Sequence, residues 1–257
     1  MTIEREKIHI WDIPIDRVDQ TQAMAIFDEL IAKPGVSMIV TPNSEIIMNA
    51  SKDEDLADLI REAELVIPDG IGLVYASKFL GKPLRERVTG IDFADAALAR
   101  LAKEGRSAYF LGSKPDAGNG VSVAKLAGEK KMAEHPGLVV SGARDGYFKP
   151  EDEAAIVADI NASGAELLLV ALGSPKQEKF IRKHRDELVN VKAAIGVGGS
   201  LDVWAGTLKR APEFYQKHGL EWLYRLIQEP SRYKRMAAIP LFMLKVVVTK
   251  GRKKNGN

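Results

Sequence analysis

AELLLVALGSPKQEKFIRKHRDELVNVKAAIGVGGS, residues 165–200, repeats one pattern twice. Leu167–Leu172 is an uninterrupted apolar run, and Ala193–Val197 is a second. Between them, Gln177–Leu188 spaces apolar residues at helical intervals among charged ones. Each run ends in a small, polar loop: LGSPKQE at 172–178 and GVGGS at 196–200. Short strands that are apolar on both faces, with a helix between them, indicate parallel pairing in a sheet covered on both sides.

The same unit recurs on the N-terminal side. Strands are expected at Ser37–Thr41, Leu65–Ile67, Ala108–Leu111 and Leu138–Ser141, with helices over Glu54–Ala63, Phe93–Lys103 and Glu151–Asn161. The expected fold is α/β, a mostly parallel, Rossmann-like sheet with helices on both faces. Three more strands end in polar or Gly-rich loops, TPNS at 41–44, PDGIG at 68–72 and LGSKP at 111–115. Ligands of open α/β sheets bind at the carboxyl ends of the strands, so these five loops mark the expected site.

Composition narrows the chemistry. With 257 residues, 46% of them hydrophobic, the chain can bury a substantial core. It has no Cys, which excludes disulfides, thiolate metal sites, iron–sulfur clusters and a cysteine nucleophile. The first sixteen residues, MTIEREKIHIWDIPID, carry charge and no long apolar stretch, so export through a signal peptide is not expected.

Charge divides the chain unevenly. Residues 208–257 hold 12 Lys/Arg against 3 Glu, out of totals of 37 basic and 35 acidic residues. They also hold six of the 17 aromatics and three prolines, Pro212, Pro230 and Pro240. The expected organisation is an α/β body over 1–207 and a helical, basic appendage over 208–257. Its partner should be anionic. Met236–Val248 is the longest membrane-like run, but its 13 residues include Pro240 and Lys245. A spanning helix needs roughly 20 apolar residues, so the appendage is expected to rest on an anionic membrane surface without crossing it.

Several motifs admit two readings. IGVGGS at 195–200 offers backbone amides to a phosphate at a helix start, or simply a tight turn. The dinucleotide fingerprint fails there because Leu201 holds the third Gly position, and it fails at DGIGL because Tyr75 does. Asp53-Glu54-Asp55 is formally a D-x-D metal motif, but it reads as a solvated helix start that Ser51 can cap. The four His residues form no metal-spaced pair, so no metal is expected. Motifs for serine hydrolases and P-loop enzymes are absent. Asp69, in VIPDGIGL, is either a turn residue or a general base. Arg225, Arg232 and Arg235, interleaved with aromatics, are either solvated or a clamp on diphosphate. The net negative body argues against nucleic acid.

Seven blocks in order, TPNSEIIMNA, IPDGIGLVYASKFLG, ERVTGIDF, FLGSKP, LGSPKQEKFI, GVGGSLDVWAGTLKRAPEF and LEWLYRLIQEPSRYKRM, resemble the WecG/TagA/CpsF glycosyltransferases, glycosyltransferase family 26. The resemblance covers roughly Lys7 to Leu244 and is strongest to the TagA-type branch. It implies an inverting, metal-independent and cofactor-free hexosaminyltransferase, peripheral on the cytoplasmic face of the cell membrane. The implied donor is UDP-N-acetylmannosamine. The implied acceptor is N-acetylglucosaminyl-diphospho-undecaprenol, in building the wall teichoic acid linkage unit or a related surface polysaccharide. Asp69 becomes the implied base, and Thr41, Asn43 and Gln177 line the sugar pocket. Arg87, Gly112, Gly173, Gly198, Gly199 and Asp202 join them as donor- or acceptor-binding candidates, while Arg225, Arg232 and Arg235 close over the diphosphate. A homo-oligomer is compatible with this reading. Two alternatives stay open: a non-catalytic nucleotide-binding protein docked to membrane by its tail, and a family member using another UDP-sugar.

Overall fold

Successive residues of a strand face opposite sides of its sheet, and here both sides are buried. The computed structural model describes residues 5–230, 233 and 238–254. Its central strands are β3 (Ser37–Val40), β4 (Leu65–Val66), β5 (Ser107–Gly112), β6 (Val139–Arg144), β7 (Leu167–Ala171) and β8 (Ala193–Gly196). All pair in parallel, in the order β4-β3-β8-β7-β5-β6. The parallel sheet expected from the apolar runs is therefore present, each strand within a few residues of its expected place.

Alternation along the strands sorts the core into two layers. Ile39, Phe110, Leu169 and Ile195 face one side, where they meet Phe27, Phe93, Leu98 and Trp204. These come from α1 (Gln20–Ile31), α5 (Gly90–Glu104) and α9 (Ser200–Ala205), and α6 (Val123–Glu134) completes the layer. Met38, Val40, Tyr109, Leu168 and Val170 face the other side. That layer receives α2 (Ser44–Ala50), α3 (Glu54–Glu62), α4 (Ile71–Phe79), α7 (Glu153–Ser163) and α8 (Lys176–His184).

An N-terminal hairpin was not foreseen. β1 (Lys7–Ile10) and β2 (Ile13–Asp16) pair antiparallel, and Ile8, Ile10, Ile13 and Ile15 enter the second layer. The turn is Trp11-Asp12, with Trp11 at φ 56°. It lacks the Asn-Gly or Asp-Gly signal that usually betrays a two-residue hairpin turn.

One helix-start assignment needs correcting. Asp53, not Ser51, caps α3: its carboxylate accepts the Leu56 N–H at 3.3 Å. Ser51 instead ends α2, where its hydroxyl donates to the Met48 carbonyl at 2.8 Å. Only three residues, 51–53, separate the two helices, and the one adjoining Glu54 takes the N-cap position.

Beyond residue 207 the chain forms α10 (Glu213–Lys217), α11 (Glu221–Gln228) and α12 (Ala238–Lys254). α12 packs on α2 and α4, and two of its side chains, Phe242 and Val246, are fully buried in the second layer. Leu241, Leu244, Val247 and Val248 of the same helix are exposed. No helix among the described residues is long and apolar enough to cross a membrane.

Candidate active site

Three loops converge at the carboxyl ends of β3 and β4. Asp69 follows β4, and its N–H donates to the Pro42 carbonyl at 3.2 Å, tying the PDG loop to the TPN loop. Both loops close on glycine. A Cβ on Gly70 would lie 3.1 Å from the Asn43 Cβ, and one on Gly90 would lie 2.9 Å from the Thr41 hydroxyl oxygen. Thr41 in turn donates to the Gly196 carbonyl at 3.2 Å, linking this group to the end of β8. Asn43 caps α2, its Oδ1 accepting from Glu45 and Ile46 at 2.9 and 3.1 Å. Its amide NH₂ is thus the end left to meet a ligand.

Asp69 is partly buried, and its carboxyl is pushed up to about 6. Loss of solvent is the largest cause; Arg225, the Gly90 N–H and Arg87 pull the value back down, and Glu221 pushes it up again. A carboxylate whose pKa is raised toward neutrality, with the charges of Arg225 and Arg87 acting on it, suits proton abstraction at physiological pH.

The C-terminal segment supplies part of this field. Arg87 pairs with Glu221 of α11 at 2.8 Å, and both side chains are more than three-quarters buried. Arg225, one turn further along α11, acts on Asp69 directly. Arg232 and Arg235, expected beside it, lie outside the described residues.

A second group surrounds the ends of β5, β7 and β8. The Gln177 carboxamide accepts the Gly198 N–H at 3.1 Å. Gly173, Gly198 and Gly199 present open backbone: a Cβ on any of them would meet nothing within 4 Å. Gly112 is different, because a side chain there would strike the Ala171 carbonyl. Its φ of 132° and close approach to β7 explain that glycine through packing alone. Asp202, in the first turn of α9, accepts from the Ser113 hydroxyl at 2.6 Å. Ser113 sits at φ 59°, a conformation rare outside Gly, so Asp202 helps to hold a strained loop at the sheet edge.

The D-x-D segment has other partners. Asp55 bonds Lys179, at 2.7 Å, and Arg182 of α8, while Glu54 pairs with Arg61 at 2.5 Å. Among the described residues, one acid–imidazole group has metal-like spacing, Asp95, Glu134 and His135 on α5 and α6. The Lys131 ammonium already lies within it, 2.7 Å from Asp95 and bonded to Glu134, so the protein's own cation neutralises the group.

Glu221 and Ser113 escaped the sequence reading. Glu221 stands in the block LEWLYR, where no local pattern ties it to Arg87. Ser113 stands in LGSKP, but no sequence signal announces a serine in a left-handed conformation.

The sequence matches known proteins over most of its length. Positions 8–256 match the model of the family described as "Glycosyl transferase WecG/TagA/CpsF family". The chain is similar to two proteins named N-acetylglucosaminyldiphosphoundecaprenol N-acetyl-beta-D-mannosaminyltransferase. One, from Bacillus spizizenii strain W23, is 36% identical over 211 residues, covering 82% of this chain and 79% of the relative. The other, from Bacillus subtilis strain 168, is 37% identical over 218 residues, covering 85% and 82%.

Proposed function

The chain belongs to the WecG/TagA/CpsF glycosyltransferase family, and from that premise we propose that it transfers N-acetylmannosamine from UDP to N-acetylglucosaminyl-diphospho-undecaprenol. The single observation that carries the mechanism is Asp69, a partly desolvated carboxylate held at about 6 beside Arg87 and Arg225. Asp69 takes the proton from the attacking acceptor hydroxyl. The hydroxyl oxygen bonds the anomeric carbon as the bond to UDP breaks, and the diphosphate leaves with the electron pair. One displacement inverts the centre, so an α-linked donor gives a β-linked product, in keeping with the β-mannosaminyl names of the relatives.

The leaving group gains negative charge, and positive groups must already face it. Arg225, with Arg87, is placed to supply them; Arg232 and Arg235 join them in this proposal. Thr41, Asn43 and Gln177 face the sugar, and the open backbone at Gly173, Gly198 and Gly199 faces the nucleotide. The enzyme works peripherally on the cytoplasmic face of an anionic membrane, with the exposed apolar side of α12 against lipid. A panel of UDP-sugars assayed against a short-chain lipid-diphosphate N-acetylglucosamine acceptor tests the reading. Preference for any donor other than UDP-N-acetylmannosamine overturns the sugar assignment.

Two further results follow. Transfer should proceed equally with and without EDTA. Asp53→Asn with Asp55→Asn should leave turnover within about two-fold, since these carboxylates serve a helix start and an exposed ion pair, whose loss acts on stability. A loss in EDTA that Mg²⁺ or Mn²⁺ restores would refute metal independence. Glu221→Gln should move the acid limb of the rate–pH profile below 6. It removes a charge that raises the Asp69 pKa and frees Arg87, which lowers it. A midpoint that stays or rises would show that Glu221 does not act on the base.

A further inference from the structure

Gln177 and Glu178 are consecutive residues in the first turn of α8, and only 4% and 2% of their surfaces are exposed. Neighbouring positions on a helix point about 100° apart, so burial of both means that this turn is sunk beneath the strand-end loops. The Gln177 carboxamide is held at both ends. Its Oε1 accepts the Gly198 N–H at 3.1 Å, and its Nε2 donates to Glu178 Oε1 at 2.9 Å. Gly196 closes the remaining space: a Cβ there would lie 2.5 Å from the same Nε2.

A carboxamide has one accepting end and one donating end. The Gly198 N–H can meet only the oxygen, and the Glu178 Oε1 facing the amide accepts from the NH₂. Reversing the amide would set N–H against N–H and oxygen against carboxylate. Together the two partners leave the amide one orientation. We infer that Glu178 is a positioning residue, whose carboxylate fixes the orientation of the Gln177 amide and thereby sets the sugar end of the donor pocket. The inference rests on the reading above that Gln177 faces the donor sugar.

The cost of placing an acid there supports a purpose beyond packing. Burial raises the Glu178 pKa above the usual glutamate value, the bond from Gln177 only offsets that, and the second carboxylate oxygen, Oε2, is buried with no hydrogen-bond partner among the described residues. An apolar side chain of similar volume would serve the fold more cheaply.

A double-mutant cycle separates positioning from stability. Glu178→Met keeps the volume and removes the acceptor; it should raise the donor KM about ten-fold, the scale of one hydrogen bond, while the Kd for UDP alone stays within about two-fold. In a Gln177→Ala background the same change should add less than about two-fold, because there is no longer an amide to orient. Glu178→Gln keeps an accepting oxygen and should hold the donor KM within about two-fold of wild type. Effects that add across the cycle, or a Glu178→Gln variant as impaired as Glu178→Met, would overturn the inference. So would a raised KM in Glu178→Met when Gln177→Ala itself has none. If neither Gln177→Ala nor Glu178→Met changes the donor KM, the placement of Gln177 at the sugar is wrong and the inference falls with it. Should Glu178→Met fail to fold, Glu178→Gln decides: a ten-fold rise in its donor KM refutes the positioning role, and a rescued KM supports it.

Discussion

Asp69→Asn is expected to lower turnover about 10²-fold or more while the fold and UDP binding survive, the usual scale for removing a general base. The substitution keeps the volume and the two-oxygen-sized head group. It therefore preserves the packing of the PDG loop against Asn43 and Pro42 and removes only the ability to take a proton. The pH dependence sharpens the test. A base must be ionised to act, and the Asp69 carboxyl is held at about 6, so wild-type kcat/KM should climb as pH rises through about 6 and level above it. Below that midpoint the carboxyl is protonated and the enzyme idles. The residual activity of Asp69→Asn should lack this limb. Near-wild-type turnover with the lipid acceptor would remove Asp69 from the mechanism; loss of UDP binding as well would make its role structural.

The placement of Asp69 is legible because a parallel sheet repeats its own grammar. Apolar runs such as Leu167–Ala171 and Ala193–Gly196 are buried on both faces and read as strands without help from their neighbours. The loops after them fall on one edge by topology alone, which brings Thr41, Asn43, Asp69, Gln177 and Gly198 to the same edge. The hairpin at residues 7–16 was harder, since its turn uses Trp11 in a conformation that glycine usually supplies. The tie between Arg87 and Glu221 was harder still. An ion pair across 134 residues of sequence leaves no local pattern, and it forms only once α11 lies over the sheet edge. The same holds for Asp202 and Ser113, which meet from the first turn of α9 and the loop after β5. Local propensity names the loops; tertiary packing decides which charges face one another.

Phe242→Ala should have the largest effect on stability of any single change in the C-terminal helices. Phe242 is fully buried, meets Trp11 edge-on at 5.5 Å, and lies 3.7 Å from where a Cβ on Gly72 would be. Truncating a core phenylalanine costs about 3–5 kcal/mol, which for a chain of this size lowers Tm by roughly 6–20 °C. Undocking of α12 alone would relieve part of that, and it would carry a second consequence. Gly72 stands in the first turn of α4, three residues beyond Asp69, so α12 buttresses the element that carries the proposed base. Transfer should therefore fall with stability, even to a soluble acceptor. Leu244→Ser, on the exposed side of the same helix, should leave Tm within about 1 °C and soluble-acceptor turnover within about two-fold, as surface changes usually do, while weakening flotation with anionic liposomes. The two faces of α12 thus make opposite predictions. A Phe242→Ala protein that melts within a degree of wild type would mean that α12 does not dock in solution, and its proposed hold on Asp69 would go with it.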